Sequence, residues 1–117
     1  MPEGPEILIS SSYLNKFVKG KNFIKITSNT KTKRDLPKKS KVINVYSFGK
    51  IIIIETKDYF VHVHFGITGW LVRSKPRIYK YILHFGNYKF YLQDRRRFSS
   101  IKILNENSHN NEINKLG

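Results

Sequence analysis

Residues 41–65 read KVINVYSFGKIIIIETKDYFVHVHF. Three short runs of Ile, Val, Tyr and Phe are set apart by Gly49 and by Lys57-Asp58, which is the pattern of β-strands joined by tight turns. The strands expected here are Lys41–Phe48, Lys50–Thr56 and Tyr59–Phe65. Ile51–Ile54 is apolar at every position, so its strand is expected to be central and covered on both faces rather than alternating between core and water.

The same pattern continues on both sides. Upstream, Phe23–Ser28 reads as a strand; downstream, Trp70–Ser74, Ile78–Phe85, Lys89–Gln93 and Ile101–Leu104 do, with Gly86-Asn87 suited to a two-residue hairpin turn. Eight short strands predict a β-sandwich or barrel. Before them, Ile7, Leu8, Leu14, Phe17 and Val18 approximate one apolar helical face, and a helix is expected over Pro2–Lys19. Proline near the first helical position and carboxylates in the first turn suit a helix start, and Gly20 suits its stop. The polar end, Asn105–Gly117, admits a short last helix with Ser108 as its N-cap. Asn29–Ser40 holds five basic residues against Asp35 and reads as a mobile basic loop. The expected fold class is therefore mainly β (α+β): an eight-stranded antiparallel β-sandwich with an N-terminal helix and a short C-terminal one.

Composition narrows the function. Lys plus Arg number 22 against 8 Asp plus Glu, leaving a net charge of +14 at pH 7. With 39% hydrophobic and 14% aromatic residues, the chain can bury a core, so a disordered basic tail does not fit. One compact domain is the expectation at this length. No window approaches the roughly 18–20 apolar residues that span a bilayer, and the N-terminus lacks the pattern of a secretory signal. A soluble intracellular protein is expected. The absence of cysteine excludes a disulfide framework, a thiolate nucleophile, an iron–sulfur cluster and a cysteine-bearing zinc finger within these residues. A polyanion is the expected partner of so basic a chain, and nucleic acid is the commonest one.

The opening Met1-Pro2-Glu3-Gly4-Pro5-Glu6 carries the chemistry. Removal of Met1 leaves Pro2 with a free secondary amine, which attacks an aldehyde-like carbon to form an iminium ion. A helix N-terminus and nearby cations lower that amine's pKa and raise its nucleophilic fraction. Glu3, beside it, can give or take the proton. Ordinary helix initiation accounts for the same residues without chemistry.

Resemblance adds weight to the catalytic reading. The opening resembles that of the formamidopyrimidine-DNA glycosylase and endonuclease VIII family of base-excision repair enzymes, which carry an N-terminal proline nucleophile. Four further segments match in the family's order. Ser47-Phe48-Gly49-Lys50 resembles the segment whose lysine sits in the active site. His62-Val63-His64-Phe65-Gly66-Ile67-Thr68-Gly69 resembles the family's histidine-containing turn, Asp94-Arg95-Arg96-Arg97-Phe98-Ser99 its arginine–phenylalanine loop, and Lys115-Leu116-Gly117 the end of its catalytic N-terminal domain.

The resemblance implies a bifunctional DNA glycosylase and abasic-site lyase that repairs oxidised bases. Pro2 would attack C1′ of the damaged nucleotide, Glu3 would handle protons, and Glu6 would position the N-terminal helix. Lys50 would contact phosphate beside the lesion; His64, Arg96 and Arg97 would hold DNA. Ile67, Arg96 and Phe98 would fill the void left by the extruded base, Ile67 standing where the family has methionine as an apolar but stiffer plug. Arg95 stands where the family often has proline, and Ser99 where it has glycine. The implied partners are damaged double-stranded DNA and abasic sites, with no membrane, no cofactor and no metal, wherever the genomic DNA is. A His-x-His pair such as His62 and His64 is also half of a metal site, but the chain offers few other strong ligands.

Residues 1–117 would be the catalytic N-terminal domain, with the family's helix–two-turn–helix and finger domains outside this chain. Weak or no activity on a damaged base is expected of such a half. The alternative class is a non-catalytic basic nucleic-acid-binding β domain, in which Pro2 and Glu3 only start a helix.

Overall fold

The structure is a computed structural model that describes residues 4–28, 36–49, 51–65, 70–93 and 99–116, with side chains from Ser11 onward except those of Trp70 and Leu116. Helix α1 (Gly4–Val18) is followed by β1 (Asn22–Ser28), β2 (Ser40–Phe48), β3 (Ile51–Thr56), β4 (Phe60–His64), β5 (Trp70–Val72), β6 (Tyr81–Phe85), β7 (Tyr88–Gln93) and β8 (Ser100–Leu104), and α2 (Glu106–Leu116) closes the order. The eight strands form one antiparallel series, β5-β7-β6-β1-β2-β3-β4-β8. An eight-stranded antiparallel fold between two helices is what the sequence predicts.

Strand β2 is the pivot of that series. Its first residues pair with β1 through only Asn22↔Lys41 and Phe23↔Ser40, whereas β1 pairs with β6 from Phe23 to Ser28 and β2 with β3 from Val42 to Phe48. The series therefore has two well-paired halves and a narrow waist. Both halves feed one hydrophobic core: Phe23, Leu83, Phe85, Phe90 and Leu92 come from one, and Val45, Ile52, Ile54, Val61, Val63 and Ile101 from the other. A bulge at Ile43 lets β2 bend at the waist, since Val42 and Asn44 face consecutive β3 residues and Ile43 is left over, 45% exposed.

Ile51 to Ile54 are all buried, as their unbroken apolar run predicts. Ile52 and Ile54 join the core, while Ile51 and Ile53 lie opposite His64 and His62, on the face that α2 approaches. Helix α1 buries Ser11, Leu14 and Val18, one face at helical spacing. Asn15 on this helix accepts a hydrogen bond from the Val45 N–H at 2.8 Å, tying α1 to β2. Gly20 ends the helix in the left-handed region (φ 84), and its N–H donates to the Val42 carbonyl.

Several boundaries differ from expectation for visible reasons. The last helix begins at Glu106, three residues before His109, and Asn105 caps it: its side-chain oxygen accepts from the Ser108 N–H at 2.7 Å, and its carbonyl from the His109 N–H. Ser108 is thus inside the helix. Ser40, placed in the basic loop by sequence, is the buried first residue of β2; residues 29–35 of that loop lie outside the described residues. Tyr59 stays out of β4 because its N–H donates to Thr56 Oγ1 in the Lys57-Asp58 turn and its hydroxyl donates to the Lys38 carbonyl. Strand β6 starts at Tyr81 rather than Ile78, because Ser28↔Tyr81 is the last pair with β1. Strand β5 stops at Val72, and Arg73 lays its guanidinium against the Phe17–Tyr88 ring pair, 4.4 and 5.0 Å from their centroids.

Candidate nucleic-acid interface

Register alone gathers the sequence-predicted segments at one end of the molecule. Ile51 opens β3 and pairs with His64 at the end of β4; His64 pairs in turn with Ser100 at the start of β8. Three of the sequence-predicted segments adjoin this row along the chain. Lys50 precedes Ile51, the segment holding Ile67 follows Phe65, and the segment holding Arg96, Arg97 and Phe98 ends at Ser99.

Helix α1 aims its start toward the same end. Gly20 meets Val42 and Asn15 meets Val45, so α1 runs antiparallel to β2 and its N-terminus points past the Phe48↔Ile51 pair that closes the β2–β3 turn. Gly49 in that two-residue turn has φ 61, with open space where a Cβ would sit, so the backbone conformation and not crowding calls for glycine.

Of the residues expected to do chemistry, His64 is described in full. Glu6 lies in the first turn of α1 with its backbone described. Pro2, Glu3, Lys50, Ile67, Arg96, Arg97 and Phe98 lie outside the described residues. His64 shares a strand face with His62, as expected from their spacing. Burial and the Lys102 ammonium hold His64 below the ordinary imidazole value, and Glu112 opposes them. Its Nε2 is buried and has no hydrogen-bond partner among the described residues.

His62 has a different task. Its Nε2 and the Nδ1 of His109 are 2.8 Å apart, so one nitrogen donates and the other accepts across a buried contact. His109 also stacks on Phe60, with ring centroids 3.7 Å apart, and Glu112 pairs with Lys102 at 3.5 Å. These three contacts seat α2 on β4 and β8. Burial first, then the neighbouring imidazoles of His109 and His64 and the Lys102 charge, push His62 down to about 4 against a weaker pull from Glu112. Sequence reading missed His109 because it sits in a polar, Asn-rich tail with no apolar period to mark it. Among the described residues no group of three or more His, Asp or Glu side chains converges as a metal site.

A cleft bordered by Pro37, Lys38, Asp58, Tyr59 and Asn105 lies at the other end of the strands, around the β3–β4 turn. There the Asp58 carboxyl is held low, first by the Ser40 hydroxyl at 2.7 Å and then by Lys38.

Comparison with known proteins bears on the family and the fold. Residues 1–101 match the model of the formamidopyrimidine-DNA glycosylase N-terminal domain. No curated protein matches the sequence. Among solved structures, the chain superposes on formamidopyrimidine-DNA glycosylase from Lactococcus lactis, bound non-covalently to DNA containing an abasic site, with TM-score 0.82 and 17% identity over 97% of this chain and 48% of that one. A second Lactococcus lactis complex with abasic-site DNA gives TM-score 0.81 and 17% identity, covering 97% of this chain and 47% of the other. The MutM (Fpg) protein from Thermus thermophilus gives 0.80 and 19%, covering 94% and 43%. The chain thus spans about half the length of these proteins. Matched across most of its length by the family model and sharing the fold of these enzymes, the chain belongs to the formamidopyrimidine-DNA glycosylase family of DNA-repair proteins, as its N-terminal domain.

Proposed function

We propose that this chain is the catalytic half of a bifunctional DNA glycosylase and abasic-site lyase that acts on oxidised bases in double-stranded DNA. The observation that supports this best is the convergence of the α1 start, the β2–β3 turn and the row Ile51–His64–Ser100 at one end of the fold.

After loss of Met1, the Pro2 nitrogen attacks C1′ of the damaged nucleotide, the bond from C1′ to the base breaks with the pair leaving on the base, which takes a proton from water, and the Pro2 N–H proton passes to the Glu3 carboxylate. Glu3 protonates the sugar ring oxygen as the ring opens, giving an iminium between Pro2 and C1′. Loss of a C2′ proton then expels the 3′ phosphate, and a second elimination expels the 5′ phosphate. Lys50, His64, Arg96 and Arg97 hold the phosphates on either side. Ile67, Arg96 and Phe98 occupy the gap in the stack. Glu6 holds the first turn of α1 in place. Burial favours the neutral form of His64, which carries one N–H donor.

A closed cleft needs a second wall, and the half-length match to the Lactococcus lactis enzyme leaves that wall to other residues. The 117 residues alone are therefore expected to nick DNA at a pre-formed abasic site, where no base has to be extruded, and to turn over a damaged base weakly or not at all. Gel analysis of duplexes carrying an abasic site or an oxidised base tests this. Robust excision of the oxidised base by these residues, or abasic-site nicking that survives Pro2→Thr, would contradict it.

A further inference from the structure

Between Gln93, the end of β7, and Ser100, the start of β8, the chain crosses from one half of the sheet series to the other. The segment that makes this crossing carries Asp94-Arg95-Arg96-Arg97-Phe98. Among the described residues, Lys80 bonds beside both of its ends. Its backbone N–H donates to the Leu92 carbonyl at 2.8 Å, one residue before the end of β7. Its ammonium donates to the carbonyl of Ser99 at 2.6 Å, one residue before β8 begins.

Lys80 is itself firmly based. The Ser28 hydroxyl donates to its carbonyl at 3.1 Å, so its main chain is held to β1 as well as to β7, and its ammonium lies 5.5 Å from the centroid of the Tyr81 ring. Ser99 is 1% exposed, and its neighbour Ser100 pairs with His64. Lysines on a surface normally keep the ammonium in water. Here it is spent on a buried-residue carbonyl, a charge-assisted bond of the stronger kind.

We propose that Lys80 is a positioning residue. It braces Leu92 in β7 and Ser99 before β8, the described ends between which residues 94–98 run, and any effect on DNA passes through those two ends. This rests on the DNA-binding reading above for its consequence, but not for the brace itself. Lys80 takes no part in the chemistry and touches no reacting atom.

Two measurements on the 117-residue chain test it, with Lys80→Met, which keeps length but removes the donors, Lys80→Arg, which restores a cationic donor, and Lys80→Gln as a milder change should the methionine variant fail to fold. The first is amide hydrogen exchange of peptides covering residues 93–100, which needs no DNA. Loss of a charged hydrogen bond predicts about tenfold faster exchange there in Lys80→Met, with Lys80→Arg near the native rate. Equal exchange in all variants would overturn the brace. The second is affinity for a duplex with a tetrahydrofuran abasic analogue, run as a double-mutant cycle against Arg96→Ala. Lys80→Met is expected to weaken binding about fivefold or more in the native background and less than about twofold with Arg96→Ala present, because the lysine acts through the loop. The same loss in both backgrounds would make Lys80 an independent phosphate contact and overturn the positioning role. A native chain that does not bind the duplex, with the exchange difference intact, would sink the functional reading and leave the brace standing.

Discussion

Protonating the histidine pair should lift α2 from the sheet, and the cost follows from the pair's environment. His62 is 1% exposed and bonds His109 through ring nitrogens 2.8 Å apart, so the pair has room for one proton on that line. Its folded-state value, about 4, lies below the ordinary 6.5. The group is therefore neutral in the fold and takes up its proton more readily when unfolded. The stability it contributes is whole above pH 6.5 and is lost as pH falls from 6.5 toward 4. At about 1.36 kcal/mol per unit, that interval amounts to about 3 kcal/mol at pH 4, a large share of a typical domain's roughly 5–15 kcal/mol. Urea unfolding between about pH 7.5 and 4 measures it, with native protein compared against His62→Gln, which keeps a hydrogen-bonding amide and cannot titrate. His64, His84 and His109 are also held low; His84 adds the same slope in both proteins, and the difference between the two curves reads His62 together with its coupling to His109 and His64. Parallel curves over this range would refute the reasoning.

The other expectations concern single contacts. Asn15→Ala leaves the Val45 N–H without its acceptor and should cost about 1–2 kcal/mol in urea unfolding, while Asn15→Asp, which keeps an oxygen there, should cost less. Gly49→Ala meets no steric neighbour, but φ 61 is unfavourable for a side chain, so a loss of about 1–2 kcal/mol is expected as a lowered Tm. Ile52→Ala empties space in the core and should cost about 2–5 kcal/mol, against well under about 1 kcal/mol for Ile24→Ala on a partly exposed strand face.

Much of this fold is legible because its elements carry their own signals. The apolar run Ile51–Ile54 has no polar face to turn outward, so only a covered strand accommodates it. Gly86, at φ 55, sits where the Phe85↔Tyr88 pair closes a two-residue turn, as the Gly-Asn pair suggests. Boundaries escaped where tertiary partners decide them. Nothing local in Arg73 says that it leaves the strand to lie against the Phe17–Tyr88 ring pair, and nothing in Ser108 says that Asn105, an equally good cap, takes the role three residues earlier. The site divides in the same way. Pro2, Glu3, Lys50, His64 and Asp94–Ser99 stand in short motifs that a sequence displays directly, and of these His64 and Ser99 fall among the described residues. Lys80 and His109 have no such motif, because a brace between two loop roots and a pair between a strand and a distant helix exist only after the sheet has closed.

The central claim is that the amine of Pro2 is a working nucleophile. Borohydride trapping of the Met1-processed chain on an oligonucleotide with an abasic site, read by intact mass, tests it most directly. The account predicts a covalent adduct that is lost in Pro2→Thr and weakened in Lys50→Met. A protein with a free Pro2 and measurable DNA binding that gives no adduct would contradict it, and would leave a basic β domain that holds DNA by charge.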